Sequence, residues 1–128
     1  MPFTTTWTEG LVTQKFYGVL STEDRNNAQR EVIEDPRFDT MRHWIIDSLD
    51  IQKYTLDYED AEDAAGDDIG AAYSNGRVRI AFAVTNEDHI KNIYHFVQFI
   101  EDSGSPWKVG IFDNFHSAKH WAESSETP

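Results

Sequence analysis

Residues 78–112 read VRIAFAVTNEDHIKNIYHFVQFIEDSGSPWKVGIF, and this stretch decides the fold. Its β-type run at 78–84 is followed by a predicted helix that Asn86 caps and that continues to about Asp102. A turn rich in Gly, Ser and Pro ends that helix, and a last strand is predicted at 107–112. A strand, a helix and a second strand of these lengths form a parallel pair with a right-handed crossover.

The rest of the chain extends this pattern in both directions. Two β-rich runs near the start flank the turn signal of Glu9 and Gly10, which predicts an antiparallel hairpin. Asp35 precedes Pro36 and ends the first predicted helix, because a residue before proline avoids the helical region. The further predicted elements are strands at 3–8, 11–20 and 42–47 and helices at about 21–34, 54–73 and 114–122.

The predicted order is therefore ββαβαβαβα, which is an α/β arrangement. We expect a mostly parallel five-stranded sheet whose first strand is antiparallel to its neighbour. A chain of 128 residues is the size of one domain, so residues 1–128 are expected to form a single domain whose end, 123–128, frays.

Charge and composition exclude several classes of function. The chain carries 23 acidic and 11 basic side chains, a formal net charge of −12, which disfavours nucleic-acid binding and polybasic docking to membranes. No cysteine is present, which excludes disulfides and thiolate metal sites and fits a reducing compartment. The longest apolar run, 80–84, is far shorter than the roughly 20 residues of a spanning helix. We therefore expect a cytoplasmic protein without a transmembrane segment.

Polar side chains follow the predicted strands at their carboxyl ends. Ligands of open parallel sheets bind beyond these ends, so the residues form a candidate rim for a ligand or partner. Ser, Asn and Asp at strand-to-helix turns are also ordinary helix caps, and this interpretation stays open. The rim residues are Ser21, Asp47, Ser48, Asp50, Thr85, Asn86 and Asp113.

The predicted helix at 89–102 is unusually apolar. Its apolar side chains cover roughly 220° of the circumference, whereas an ordinary surface helix shows a stripe of roughly 100°. One interpretation is burial between the sheet and a neighbouring helix; the other is a dimer face or the wall of an apolar pocket. The candidate interface residues are Ile93, Phe96, Phe99 and Ile100.

Motifs for metals, cofactors or catalysis are not recognisable in the chain. His116 and His120 have the spacing of a two-histidine zinc motif, but Ser117 stands where that motif needs Glu. The acidic run at 57–68 lacks the pattern of a calcium loop and is typical of a solvated helix face. No Gly-rich nucleotide motif occurs, and no nucleophile elbow surrounds Ser48. The sequence therefore predicts neither a metal, nor a cofactor, nor a catalytic set.

Short motifs carry a resemblance to a known family. They are DPRFD at 35–39, Asp47 with Ser48, IFD at 111–113 and AKHW at 118–121. With the element order, they make the chain similar to the SpoIIAA-like group of STAS-like proteins, in an uncharacterised bacterial branch that is also compared with lipid-binding Sec14-type (CRAL-TRIO) domains. The resemblance implies one STAS-like domain over nearly the whole chain.

The phosphorylation switch of that family matches only in part. Anti-sigma-factor antagonists carry Asp-Ser-Ser-Gly after the third strand, with phosphate on the second serine. Here Asp47 and Ser48 match, but Leu49 stands at the acceptor position and Asp50 replaces the glycine. Ser21 also replaces the acid that ends the family's second strand. Control of a sigma factor through a serine kinase is therefore not expected.

Two hypotheses about function follow. The first is a non-enzymatic protein-interaction or regulatory module that forms a homodimer and binds a protein partner the sequence does not name. The second is a binding protein for a small apolar, lipid-like ligand, suggested by the many aromatic residues and the Sec14-type comparison. A third and weakest hypothesis is an enzyme that uses the rim carboxylates, because no acid–base–nucleophile set is recognisable.

Overall fold

The computed structural model of the chain describes residues 3–54 and 57–124. Its strands are β1 (Phe3–Thr8), β2 (Leu11–Leu20), β3 (His43–Tyr54), β4 (Arg79–Ala83) and β5 (Lys108–Phe112). Its helices are α1 (Thr22–Ile33), α2 (Tyr58–Ala71), α3 (Glu87–Asp102) and α4 (Phe115–Glu123), with a short 3-10 helix at Pro36–Thr40 after α1. The predicted element order is confirmed.

The five strands form one sheet in the order β1-β2-β3-β4-β5. β1 is antiparallel to β2, and the other neighbouring pairs are parallel, as the sequence predicts. Because each crossover leads to the next strand in line, right-handed connections place α1, α2 and α3 on one face. The helix α4 packs on the other face, where Ala118 and Ala122 meet Ala81 and Ala83. Within the described residues, no helix combines the length and the apolar content needed to cross a membrane.

The strand β3 is longer than the predicted 42–47, and the next helix starts later than predicted. β3 pairs with β4 only up to Asp47 and continues to Tyr54 beside β2. The polar residues that suggested a turn are accommodated in the strand, since Lys15 of β2 lies 3.7 Å from Asp47 and 3.0 Å from Asp50. α2 begins after Asp57, whose side chain caps it by accepting from the Asp60 amide.

The predicted fraying of residues 123–128 is only partly covered by the structure. Glu123 is the last residue of α4, so this residue is helical. Ser124 follows as the C-cap and donates from Oγ to the Trp121 carbonyl at 2.7 Å. Residues 125–128 lie outside the described residues.

The amino ends of the strands are held by a buried amide. The Asn75 side chain donates to the carbonyls of Phe38 and Met41, both at 2.7 Å. The carbonyl of Asn75 in turn accepts from the indole of Trp107 at 2.7 Å. Because Trp107 also packs against the rings of Phe38 and Trp44, the 3-10 helix is fixed to the core.

Candidate functional site

A cavity of about 70 Å³ lies between the sheet and the three helices α1, α2 and α3. Its sheet side is mainly apolar and includes the rings of Phe16, Trp44 and Phe82. Its helix side includes Ala61 and Ala64 of α2. Small side chains on α2 cannot fill the space above the sheet, so the cavity follows directly from the alanines of this helix.

Two buried polar atoms at this cavity lack a hydrogen-bond partner in the described part of the chain. They are Oγ of Ser48 and Oε1 of Gln29, whose residues are 2% and 7% exposed. A buried polar atom without a partner costs roughly 1–3 kcal/mol. The two atoms therefore give an otherwise apolar cavity a polar part that a bound molecule could satisfy.

Gln14 also lines this cavity and is buried, but its side-chain amide is fully hydrogen-bonded. Its amide donates to the Ala28 carbonyl at 2.8 Å and to Thr5 Oγ1 at 3.2 Å, and its oxygen accepts from the Trp44 indole at 3.1 Å. The side chain thus joins β1, β2, β3 and α1, and both ends of its amide are satisfied. Gln14 stabilises the fold through these bonds, whereas Ser48 Oγ and Gln29 Oε1 form no hydrogen bond within the described residues.

Gln29 also joins α1 to α2. Its Nε2 donates to the Ala64 carbonyl at 2.9 Å and to Asp68 Oδ1 at 2.8 Å. Asp68 is fully buried, and this burial raises the pKa of its carboxyl to about 7, against the opposing hydrogen bond from Gln29 and the charge of Arg25. Near neutral pH the carboxyl therefore changes readily between its protonated and its charged form.

His89 and Arg25 are further polar residues that line the cavity. Burial lowers the pKa of the His89 imidazole to about 4, so this side chain is neutral at pH 7. Arg25 keeps its positive charge at any physiological pH. The cavity thus combines apolar walls with a cation, a neutral imidazole and a carboxyl that titrates near neutrality.

Two of the predicted rim residues are helix caps. Ser21 Oγ accepts from the Asp24 amide at 3.2 Å at the start of α1. Asn86 Oδ1 accepts from the His89 amide at 2.9 Å at the start of α3. Thr85 and Asp113 are exposed, and Asp113 accepts from the side chain of Asn114 at 2.8 Å.

The three rim residues of the third strand are separated by the extension of β3. Asp47 and Asp50 both lie beside Lys15, whereas Ser48 lines the cavity. Asp47 is buried, and its Oδ1 accepts from the Leu49 amide at 3.1 Å. Of the seven rim residues, only Ser48 is part of the cavity wall.

The predicted interface residues lie mainly inside the monomer. Ile93, Phe96 and Ile100 are 3%, 7% and 1% exposed, and the Phe96 ring meets the Phe82 ring edge-on at 5.9 Å. Phe99 is partly buried against the same core. Three of these four side chains are therefore unavailable for a surface contact in this conformation, and a homodimer stays a prediction that needs another surface.

The site residues predicted from the sequence do not include Arg25, Gln29, Asp68 or His89. A signal was present, since Asp68 stands four residues after Ala64 and seven after Ala61, on the small apolar stripe of α2. A carboxylate in line with residues that face the sheet points to a buried acid.

The two histidines of α4 lie side by side. The rings of His116 and His120 are stacked with their centroids 6.4 Å apart. Within the described residues, no group of three His, Cys, Asp or Glu side chains is arranged to hold a metal ion.

Comparison with known proteins gives a likeness of fold. No protein-family model matches the chain, and no curated protein matches it. A solved structure of an uncharacterized protein of the DUF3478 family from Shewanella loihica PV-4 is similar, with 17% sequence identity and a TM-score of 0.49. The match covers 94% of this chain and 91% of that one. That protein is described as having a SpoIIAA-like fold.

Proposed function

We propose that the protein is a non-enzymatic binding protein for a small, mainly apolar molecule with one polar end. The observation that carries this proposal is the pair of partnerless polar atoms, Ser48 Oγ and Gln29 Oε1, at a cavity with apolar walls. A core that served packing alone would gain stability from apolar side chains at these two positions, because each unsatisfied atom carries an energetic cost.

The polar end of the ligand follows from the hydrogen-bonding capacity of the two atoms. Gln29 Oε1 accepts only, so the ligand needs a donor hydrogen. Ser48 Oγ can donate or accept. A neutral alcohol or a protonated carboxylic acid supplies both a donor hydrogen and an accepting oxygen within one functional group. We therefore favour an apolar alcohol or carboxylic acid.

Binding requires the cavity to widen. A volume of about 70 Å³ is far below the roughly 300–1,000 Å³ of drug-sized ligand sites. α2 is the wall best suited to move, because it packs on the core through alanines. It also contains two exposed glycines, Gly66 and Gly70, each of which weakens a helix by roughly 1 kcal/mol relative to alanine.

The experiment compares two leucine substitutions in α2. Ala64→Leu places an isobutyl group in the cavity, whereas Gly66→Leu adds the same group at an exposed position where a new Cβ meets nothing within 4 Å. Native mass spectrometry of freshly purified wild type should show a co-purifying adduct that is lost in A64L and kept in G66L. After the bound molecule has been extracted, titration with the apolar dye Nile red should show binding to wild type and G66L and weaker binding to A64L.

Two results would contradict this proposal. One is a wild-type protein without an adduct and without saturable dye binding. The other is binding that A64L and G66L retain equally, because the ligand would then lie outside the cavity.

A protein-interaction module is the second candidate, and exposed aromatic side chains favour it. Tyr94 on α3 is 60% exposed and Tyr73 beyond α2 is 91% exposed. Large exposed apolar side chains are enriched where proteins meet each other. We propose that such a module is homodimeric through α3, with Tyr94 at the contact. A chain without cysteine suits a reducing compartment, and the cytoplasm is the location we propose for either function.

A further inference from the structure

A second cleft, of about 300 Å³, lies at the amino ends of β3, β4 and β5. Most of its charged lining is basic, although the chain as a whole is strongly acidic. The charged and titratable residues that line it are Arg42, His43, Arg77, Arg79, Lys108 and Glu123. None of them lines the cavity under α2, so the cleft is a separate feature of the surface.

Three of these side chains form a row across the sheet. His43 pairs in register with Arg79, and Arg79 pairs with Lys108. Register partners on neighbouring strands point to the same face, and such strands are roughly 4.8 Å apart. Like charges at neighbouring positions of a sheet destabilise it, so the pairing of Arg79 with Lys108 is not explained by the stability of the strands.

The concentration of positive charge at this cleft is large for this chain. Four of the 11 Lys and Arg residues line it, namely Arg42, Arg77, Arg79 and Lys108, while only one of the 23 acids does. That acid, Glu123, accepts from Lys119 Nζ at 2.8 Å. The local charge at the cleft is therefore opposite to the net charge of −12.

Most of these cations are not used by the fold. Arg79 is held in place, since its guanidinium lies 4.2 Å from the centroid of the Trp121 ring and donates to the Ser124 carbonyl at 3.5 Å. Arg42, Arg77 and Lys108 are exposed, and they form no ion pair within residues 3–54 and 57–124. Nδ1 of His43 is buried and lacks a hydrogen-bond partner in the same part of the chain.

We propose that this cleft binds a compact phosphate-bearing molecule through Arg42, Arg77, Lys108 and His43. Guanidinium groups bind phosphate oxygens with two parallel hydrogen bonds, and a lysine adds a point charge. The volume of about 300 Å³ lies at the lower end of the range for small-molecule sites. A long polyanion such as nucleic acid would also meet the acidic remainder of the surface, which repels it. The site therefore suits one phosphorylated group rather than a phosphate backbone.

The experiment uses two probes and two triple variants. The probes are inorganic pyrophosphate, titrated by calorimetry, and phosphatidylcholine vesicles with or without phosphatidic acid, followed by co-sedimentation. The cleft variant is R42Q/R77Q/K108Q. The control variant, R30Q/K53Q/K91Q, removes the same charge from exposed positions that do not line the cleft.

Wild type should bind at least one probe. The cleft variant should weaken binding by at least about tenfold, and the control variant by much less, because only the former removes direct contacts. Binding of pyrophosphate alone identifies a free phosphorylated ligand, and binding of acidic vesicles alone identifies a lipid headgroup. Either result supports the proposal.

Absence of binding to both probes overturns the proposal, and so does an equal loss in the two triple variants. Amide NMR shifts of wild type provide a test that needs no variant. Pyrophosphate should move the signals of Gly76 and Lys108 at the cleft, and saturating shifts confined to other residues would contradict the assignment.

Discussion

At Gly110 the sheet leaves no room for a side chain. A Cβ at this position would lie 2.8 Å from Cε2 of Phe112 and 3.1 Å from Cε3 of Trp121. The two rings pack against each other with centroids 5.6 Å apart, so neither can move without disturbing the other. Gly110→Ala should therefore lower the free energy of unfolding by roughly 1–3 kcal/mol, as measured by urea denaturation.

Gly66→Ala is the matched control for that substitution. A new Cβ at Gly66 meets nothing within 4 Å, and the residue lies on the exposed side of α2. Alanine should stabilise the helix here by roughly 0.5–1 kcal/mol. Equal stability of G110A and wild type would mean that the rings of Phe112 and Trp121 can separate without cost.

Asp68 should make stability fall as pH rises. The pKa of its carboxyl is about 7 in the fold, against about 4 in an unfolded chain, so the native state binds more protons between these values. Its contribution to stability is complete below pH 4 and is lost as pH approaches 7. His89 acts in the opposite direction between about pH 4 and pH 6.5, because its folded pKa of about 4 is depressed.

The variant Asp68→Asn separates the pH dependence of stability that is due to Asp68 from the part that is due to His89. His89 contributes equally to both proteins, so the difference in unfolding free energy between D68N and wild type isolates Asp68. That difference should shift in favour of D68N by a few kcal/mol from about pH 4 to pH 8, since a shift of one pKa unit is worth roughly 1.4 kcal/mol. The charge of Asp67 helps to raise the pKa of Asp68, so the control for the loss of one charge on the same helix is the exposed Asp63, as Asp63→Asn. A difference independent of pH would contradict the titration of Asp68.

Among the elements, the sequence predicted best those whose ends have local signals. β1, β2 and α3 have the predicted bounds, because Gly10 marks a turn and Ser21 and Asn86 cap helices. β3 was predicted to end seven residues too early, since Asp47 to Asp50 look like a polar turn. In the fold these residues lie in a strand beside Lys15 of β2, and sequence spacing alone does not reveal a contact across 32 residues.

The extension of β3 should depend on Lys15. The carboxylates beside it raise the pKa of Lys15, first through its hydrogen bond with Asp50 and then through the charge of Asp47. Lys15→Met leaves the buried Asp47 without its cation, so the end of β3 should open more often. Hydrogen exchange should become faster at the amides of Leu49 and Ile51.

Lys53→Met provides the comparison for that measurement. Lys53 is exposed, lies on the same strand and forms no ion pair among the described residues. The substitution Lys53→Met should leave the amide exchange rates of Leu49 and Ile51 nearly unchanged. Identical exchange in K15M and K53M would show that pairing with β2 holds the extension without Lys15.

For the molecule as a whole, the fold was predictable and the cavity was not. Alternating strands and helices determine a parallel sheet through rules of connection that act along the chain. The cavity instead depends on Gln29 and Asp68, which are 39 residues apart and meet only after α1 and α2 have docked. Ser48 was selected as part of the rim, but its inward direction depends on β3 continuing past Asp47.

Self-association is a prediction about the whole molecule. Because Ile93, Phe96 and Ile100 are buried, Tyr94 is the exposed aromatic side chain of α3 that can reach a second copy. If the protein is a homodimer through α3, Tyr94→Ser should shift sedimentation velocity profiles toward a folded monomer, whereas Tyr73→Ser should not. A wild-type monomer at all usable concentrations would contradict the homodimer.

Because the order of strands in space repeats their order in the sequence, this fold can be assembled from one end. Each new strand joins the outer edge of the sheet formed so far, and no strand has to be inserted between two earlier strands. Contacts along such a path never need to close a loop longer than one crossover, which limits the entropic cost of each step. A nascent chain leaving the ribosome can therefore add its crossovers one after another during synthesis.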